Sequence, residues 1–276
     1  MENRPFVDFE RYRRMTTDEL RAAFLVEGLF ALDEVRLVHW EAERTIIGSA
    51  VPRERPLRLE APDEVRAASF LARREIGIVN VGGPGAVRVG DTRHELDNRD
   101  ILYAGRGAGD LVFESRREDS PAAFWLVSHG AHAAHPTRLV RREEARTKTI
   151  GAAANASARV LRQYVHAEAV PTCQLVMGIT DLEPGSVWNT CPPHTHSRRT
   201  EIYLYFDLDP GAVVLHVMGP PEETRHLVVR ERQAVLSPPW SMHFGAATSR
   251  YGFVWSMGGE NQDFDDMDQV PLDRLR

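Results

Sequence analysis

Residues 92–105, TRHELDNRDILYAG, decide the fold, because their pattern returns at residues 224–239, TRHLVVRERQAVLSPP. Each copy gives Thr-Arg-His, polar residues, an apolar run typical of a β-strand, and a turn marked by Gly or Pro. An aromatic strand follows each copy, FWLVS from Phe124 and FVWSM from Phe253. A pattern that recurs after roughly half the chain predicts the duplication of one β-domain.

The surrounding sequence extends this prediction to the whole chain. Short apolar or alternating runs, broken by Gly, Pro, Asp and Asn, begin near residue 45 and return in a second series from 173 to 259. Before them, Thr16 and Glu19 form a capping-box pattern that predicts one helix. We therefore expect an all-β protein of two tandem β-barrels with a short N-terminal helical arm. The predicted divisions are an arm at 1–44, a first barrel at 45–135, a connector at 136–170 and a second barrel at 171–276.

Composition excludes several classes of function. A formal net charge of −6 on 276 residues argues against a nucleic-acid partner, since phosphate binding requires a basic face. No apolar run is long enough to span a bilayer, so no membrane partner is expected. Two cysteines suit a reducing compartment, and the predicted location is cytoplasmic. The chain has a single lysine, Lys148, which makes imine-forming chemistry a poor prediction.

A candidate metal site lies in NTCPPHTHSRRTEIYLYF, residues 189–206. On a strand, His194 and His196 point to the same face, so both imidazoles can reach one ion. Glu201 has the wrong parity for a continuous strand. A reversal of the chain at the polar SRRT would bring it back, with Glu201, Tyr203 and Tyr205 on a common face of a second strand.

His243 is the candidate for a fourth ligand, because it follows a Pro-Pro turn in SPPWSMHFG, residues 237–245. Three imidazoles and one carboxylate suit Zn²⁺, Fe²⁺, Mn²⁺, Ni²⁺ or Co²⁺. The first copy of the repeat has no histidine at the equivalent place, so the site is expected in the second barrel alone. The alternative interpretation is a set of surface histidines in a proline-flanked loop.

Other polar clusters have simpler interpretations. His129, His132 and His135 lie three residues apart, and their Ala, Gly and Pro neighbours favour an exposed linker over a second metal site. Cys191 precedes two prolines that are expected to turn it away from the metal. The acidic ENQDFDDMD, residues 260–268, lacks the glycine of a calcium loop and is expected to be a solvated tail anchored by its Phe and Met.

Longer strings carry a resemblance to a known family. HTH, four residues and Glu201, with the later His243, resemble the metal signature of the cupin superfamily. TCQLVMGITDL, HTHSRRTEIYLYF, GPPEETRHLVV, QAVLSPPWSMHFG and MGGENQDFDDMD are similar to the 5-keto-4-deoxyuronate isomerase family, and FLARREIGIVNVGG and HELDNRDILYAGRGA extend the likeness into the N-terminal half. Pro193 and Ser197 depart from the family pattern, as do residues 151–165.

The resemblance implies a double cupin and a function. The family interconverts an aldose and a ketose in pectin and uronate catabolism, turning 5-dehydro-4-deoxy-D-glucuronate into 3-deoxy-D-glycero-2,5-hexodiulosonate. It also implies one divalent metal per subunit, with Zn²⁺ as the expected ion, a sugar-acid substrate and a homohexamer. The family's ligands map onto His194, His196, Glu201 and His243.

Two roles in this chemistry have several candidates. A base must take the carbon-bound proton, and Glu223, His226 and Tyr203 are candidates, each with an equally plausible structural role. A cation must bind the substrate carboxylate, and the candidates are Arg198, Arg199 and Arg225. The alternative functions are another metal-cupin enzyme of the dioxygenase type and a non-catalytic sugar-binding cupin.

Overall fold

The computed structural model describes residues 1–276, which form two short helices and 23 strands. The helices are α1 (Phe9–Tyr12) and α2 (Thr17–Phe24). The strands are β1 (Glu2–Arg4), β2 (Leu25–Val26), β3 (Val35–Trp40), β4 (Thr45–Ala50), β5 (Leu57–Arg58), β6 (Arg74–Asn80), β7 (Gly85–Val89), β8 (Thr92–Leu96), β9 (Ile101–Ala104), β10 (Leu111–Ser115), β11 (Phe124–Gly130), β12 (Arg138–Val140), β13 (Arg146–Ile150), β14 (Arg159–Val165), β15 (Val176–Leu182), β16 (Trp188–Thr195), β17 (Arg199–Phe206), β18 (Val214–Gly219), β19 (Arg225–Val229), β20 (Ala234–Ser237), β21 (Met242–Ala247), β22 (Gly252–Gly259) and β23 (Asp268–Gln269). No helix is long and apolar enough to cross a membrane.

The chain divides into two compact units, which confirms the prediction of two β-domains. The first unit comprises residues 1–4, 29–145 and 164–176, and the second comprises 5–28, 146–163 and 177–276. Each unit has one seven-stranded and one smaller sheet.

The strand orders within the two units explain the sequence repeat. In the first unit β4, β11, β6 and β9 are neighbours, and in the second unit β15, β22, β17 and β20 follow the same order. The smaller sheets repeat it too, with β5-β10-β7-β8 in one and β16-β21-β18-β19 in the other. The two Thr-Arg-His motifs begin or immediately precede the equivalent edge strands, β8 and β19. The repeated sequence motif therefore corresponds to a strand topology that is repeated in the two units.

The first unit has an apolar interior built from alternate residues of its strands. Its core includes Ile76, Ile78, Val87, Leu102 and Phe113, each essentially inaccessible to solvent. Strands β5 and β10 occupy the places that β16 and β21 take in the second unit. The group of residues that could hold a metal ion lies within the second unit.

The N-terminal helices belong to the second unit. The capping box of α2 is present as predicted, with Thr16 accepting from the Glu19 amide and the Glu19 side chain accepting from the Thr16 amide. Tyr12 of α1 packs against Trp240, and its hydroxyl donates to the Met218 carbonyl at 3.0 Å. These contacts fix the helices on the strands of the same unit.

The segment predicted as a connector, 136–170, is structured. Strand β12 joins the first unit, and β13 and β14 form one edge of the seven-stranded sheet in the second. His129 is fully buried on β11, so the exposed-linker interpretation is wrong at that residue. The pattern was difficult to recognise because β13, RTKTI, is an exposed edge strand without an apolar face. Domain boundaries at 44, 135 and 170 stay a prediction.

Candidate metal centre and its cavity

The four predicted ligands come together between the two sheets of the second unit. His194 on β16 lies directly opposite His243 on β21, and a cross-strand pair of this kind places two side chains in contact. His196 stands in the turn that follows, where the Arg199 amide donates to the His196 carbonyl at 3.0 Å. That turn is the predicted chain reversal. It starts β17 in the opposite sheet and directs Glu201 at the three rings.

The ligand atoms of His194, His196, Glu201 and His243 all lie within 4.8 Å of one another. The Oε2 atom of Glu201 is 2.6 Å from Nε2 of His243, 2.9 Å from Nε2 of His196 and 3.9 Å from Nε2 of His194. Ligands of a tetrahedral ion at about 2.1 Å are roughly 3.4 Å apart, so these separations bracket the spacing of such a site. One ion can therefore be held by all four residues.

Burial and charge leave the cluster ready for a cation. Each of the four side chains is nearly inaccessible to solvent, and burial lowers the pKa of His194 to about 3, so its ring is neutral and offers a lone pair. Burial alone would raise the pKa of Glu201, but His243 and His196 outweigh it and hold that pKa well below its ordinary value. The carboxylate is therefore ionised.

The hydrogen bonds around the cluster also fit a metal. Neither ring nitrogen of His243 has a hydrogen-bond partner, although the ring is buried. Its Nε2 lies close to Glu201 without the alignment of a hydrogen bond. The Nδ1–H of His196 donates to the Arg199 carbonyl at 3.3 Å, which turns Nε2 toward the cluster. Buried polar atoms without partners are rare, and a metal ion bound at Nε2 would account for one of these two nitrogens.

A cavity of about 400 Å³ opens beside His194 and Glu201 within the second unit. Its floor is the inner face of the seven-stranded sheet, where alternate residues point inward. Strands β13 and β14 contribute Lys148, Ile150, Arg159 and Leu161, and β22 contributes Phe253, Trp255 and Met257.

The opposite wall comes from a bulge in β16. The register of β16 against β21 shifts between Asn189 and His194, and the displaced residues include Thr190, Cys191 and Pro192, all of which line the cavity. Cys191 was expected to turn away from the site, but its side chain borders the cavity without joining the ligand group. Burial raises the pKa of this thiol, so it stays protonated.

The acidic segment 260–269 covers the cavity and is called the strap below. Its Phe264, Asp265, Met267 and Gln269 line the cavity, and Phe264 packs on Trp255 with ring centroids 5.2 Å apart. The C-terminal end of the strap, β23, pairs with β16. Glu260, Asp263, Asp265 and Asp268 are exposed, which agrees with a solvated segment, and Phe264 and Met267 lie in the cavity wall, which agrees with the predicted anchoring. The segment is not a free tail, however, because it lines the cavity and pairs with β16.

Two of the predicted substrate arginines hold the strap instead. Arg198 Nε donates to both carboxylate oxygens of Asp266, at 2.8 and 2.9 Å. Arg199 is fully buried and donates to the backbone carbonyls of Asp263 and Asp266. Their hydrogen-bonding capacity is directed at the strap, and neither residue lines the cavity.

The third arginine and two of the predicted bases lie outside the cavity. Arg225 donates to the carbonyls of Met15 and Arg13 and lies over the Tyr12 ring. Glu223 accepts from Arg13 at 2.9 Å, and His226 is exposed on the edge strand β19. None of these three residues therefore reaches the metal cluster, and Arg225 and Glu223 form structural contacts instead.

Tyr203 is the base candidate that lies in the site. Its ring is 5.1 Å from that of His243, and its hydroxyl is 3.1 Å from the Thr190 hydroxyl. Burial, together with the nearby Glu201 carboxylate, raises the pKa of Tyr203 well above its ordinary value. The phenol therefore keeps its proton, which suits a hydrogen-bond donor rather than a base.

Sequence reasoning also missed a buried histidine behind the cluster. The His216 ring on β18 stacks 6.5 Å from that of His243, and its Nδ1 lies 2.8 Å from the Tyr205 hydroxyl. Burial lowers the pKa of His216 to about 3, so its ring is neutral. The alternation of AVVLHVMG was the available signal, since it places this histidine on the inward face.

The fold and the site define a cupin-type protein with a buried group of three histidines and one glutamate that can hold a metal ion. The chain belongs to the KduI/IolB family, whose model matches residues 25–272. Over 276 residues and the full length of both chains, it is 46% identical to the 4-deoxy-L-threo-5-hexosulose-uronate ketol-isomerase of Halalkalibacterium halodurans and 47% identical to that of Bacillus subtilis.

A solved structure shares the fold. It is an IolB-like protein from Salmonella typhimurium, with a TM-score of 0.73 and 13% identity, covering 90% of this chain and 96% of that one. At this identity the likeness supports the fold alone, and it agrees with the predicted double cupin.

Proposed function

We propose that this protein is a metal-dependent ketol-isomerase that converts 5-dehydro-4-deoxy-D-glucuronate into 3-deoxy-D-glycero-2,5-hexodiulosonate. The observation that carries the proposal is the intact four-residue group, of which His194 and Glu201 line a 400 Å³ cavity, in a chain 46–47% identical over its full length to relatives named for this activity. A cavity of this size suits a small ligand.

The residues of the chain divide the chemistry among them. A divalent ion held by His194, His196, Glu201 and His243 would supply Lewis acidity toward the carbonyl and hydroxyl oxygens on the two carbon atoms that exchange oxidation states. Tyr203, protonated at its phenol, donates a hydrogen bond to an oxygen on which charge develops. Asp265 is the cavity-lining carboxylate outside the ligand group, and it accepts the carbon-bound proton and returns it to the neighbouring carbon.

The aromatic residues give the cavity an apolar surface. Phe253, Trp255 and Phe264 form it across the floor and the strap, while Asp265 itself is exposed to solvent. Such a surface leaves few polar partners beside the metal cluster and Tyr203, which favours one orientation of a polar ligand.

Three finer assignments belong to this proposal. Zn²⁺ is assigned as the ion from the family resemblance, and the set of three imidazoles and one carboxylate is compatible with it. A homohexamer is assigned from the family resemblance. A cytoplasmic location is supported by the two cysteines, both present as free thiols.

The test is turnover of 5-dehydro-4-deoxy-D-glucuronate by the Zn²⁺-loaded protein, followed by NMR of the product, with oxygen consumption recorded in parallel. Formation of the ketose without oxygen uptake is the expected result. Oxygen uptake coupled to substrate loss would instead identify a dioxygenase, and binding without turnover would identify a sugar-binding cupin. The variants H226A and E223A serve as matched controls, since both residues lie away from the cavity, and both are expected to stay active.

A further inference from the structure

Arg159 is a half-buried cation that borders the metal cavity without a carboxylate partner. It lies on β14, and its Nη1 donates to the Ser157 carbonyl at 2.8 Å. Two nearby arginines of the second unit do have carboxylate partners: Arg162, three residues along the same strand, contacts Asp181 at 2.6 Å, and Arg198 is bound to Asp266. An unpaired, partly buried charge is costly, so a ligand is the natural source of its counter-charge.

Lys148 places a second cation beside it. In the register of β13 with β14, Lys148 pairs with Leu161 while Ile150 pairs with Arg159. Lys148 and Arg159 are therefore diagonal neighbours on the same face, with Cβ atoms about 7 Å apart or slightly less. Both line the cavity, and the Lys148 ammonium lies 5.9 Å from the centre of the Phe264 ring on the strap.

Two like charges at this spacing repel each other. A carboxylate bound between Arg159 and Lys148 would attract both cations and offset this repulsion. A guanidinium presents parallel N–H groups that match the two oxygens of a carboxylate, and an ammonium adds a point charge at the rim. The remaining polar wall of the cavity leads to His194 and Glu201, so a sugar acid held by its carboxylate at β14 presents its other end to the metal cluster.

We propose that Arg159 and Lys148 bind the carboxylate of the sugar-acid substrate, in the role for which Arg198, Arg199 and Arg225 were the sequence candidates. The inference rests on the proposed function for the identity of the substrate. It also assigns Lys148, the single lysine of the chain, to charge recognition rather than to covalent chemistry.

Steady-state kinetics of R159M, R159K and K148M test the inference. R159M is expected to raise KM by about 10- to 100-fold, because it removes a charge-assisted hydrogen bond to the substrate carboxylate. The metal content should stay unchanged. R159K should recover part of the loss because it keeps the charge. K148M should also raise KM, by a smaller factor, because the ammonium adds a point charge without the paired hydrogen bonds of a guanidinium. A wild-type KM for K148M, or a loss of kcat in place of the rise in KM, the latter indicating imine chemistry, would overturn the assignment of Lys148. R162M is the matched control from the opposite face of β14, with a KM near wild type. A KM for R159M within about twofold of wild type would overturn the inference.

A binding measurement separates this inference from the proposed function. The Zn²⁺-loaded wild-type protein is titrated by calorimetry with D-galacturonate and with D-galactose, which differ at the carboxylate. Galacturonate alone should bind, and R159M should abolish that binding whether or not the protein is an isomerase. Equal affinity for the two sugars, no binding of either, or full galacturonate binding by R159M would refute the carboxylate site. Failure of turnover with galacturonate binding intact would refute only the isomerase.

Discussion

The ion pair that anchors the strap offers a test of how the cavity is closed, through the substitution of Asp266 by alanine. Arg198 donates through Nε to both oxygens of this carboxylate, and Asn261 donates to one of them at 2.5 Å. These hydrogen bonds, that of Arg198 foremost, hold the pKa of Asp266 below its ordinary value. The pair therefore stabilises the strap above about pH 4 and is lost as the pH falls through the folded pKa.

The magnitude follows from the geometry and the exposure of the pair. A hydrogen bond to a charged group contributes about 1.5–3 kcal/mol. The Arg198 side chain is 37% exposed, so water screens the pair, and its loss shifts the equilibrium between the closed and the displaced strap by about 2- to 5-fold. Since Phe264 and Asp265 form part of the cavity, D266A should raise KM by up to that factor, the upper limit applying when the displaced strap is the major form.

The assay combines kinetics with hydrogen–deuterium exchange of residues 260–269. D266A should increase exchange in this segment while metal content stays at the wild-type level. E222A is the matched control, because Glu222 forms an exposed ion pair with Arg274 away from the cavity. If D266A keeps both its KM and its exchange protection, Arg198 does not anchor the strap and the reasoning fails.

Three further predictions concern single residues. Burial lowers the pKa of His129 from 6.5 to about 3. As the pH is lowered between those values, the unfolded chain binds a proton that the folded protein does not, so the free energy of unfolding falls by roughly 1 kcal/mol per pH unit. Urea titrations across this range should show a weaker dependence of that free energy on pH in H129Q. Y203F removes the hydroxyl that contacts Thr190 and should lower kcat by about 10- to 100-fold with metal retained; an unchanged kcat would exclude Tyr203 from the reaction. In G178A the new Cβ would lie 2.1 Å from the Trp255 ring, so the ring should be displaced into the cavity. Thermal unfolding should show a loss of about 1–3 kcal/mol of stability. Wild-type stability would show that the sheet accommodates the added methyl group.

The metal cluster could be predicted from the sequence because its determinants are local. Strand alternation placed His194 and His196 together, and a polar turn was the simplest way to bring Glu201 to them. The fourth ligand, His243, required only the effect of a Pro-Pro turn at the start of a strand. Each of these rules depends on a few neighbouring residues.

The arginines could not be assigned in this way because their partners are distant in sequence. Asp263 and Asp266 lie more than sixty residues after Arg198 and Arg199, and nothing near the arginines indicates that the acidic segment folds back over the site. Arg225 likewise finds its acceptors in the N-terminal helical region. The presence of arginines close to the candidate site in the sequence therefore did not indicate which arginine side chains face that site in the structure.

The cavity floor was missed for a related reason. Lys148 and Arg159 lie in strands that pair only with each other and with β15 at the edge of a sheet, where one face is open to solvent and the apolar alternation is weak. Such strands are defined by backbone pairing, which composition does not reveal.

The most direct test of the central claim is the metal content of purified H243A beside that of H226A, each paired with its isomerase rate. Both substitutions remove one histidine from the second unit, but only His243 belongs to the buried ligand group. The wild type and H226A should retain about one divalent ion per chain and full activity, while H243A should lose both. Retention of the ion and the activity by H243A would contradict a metal centre at this site.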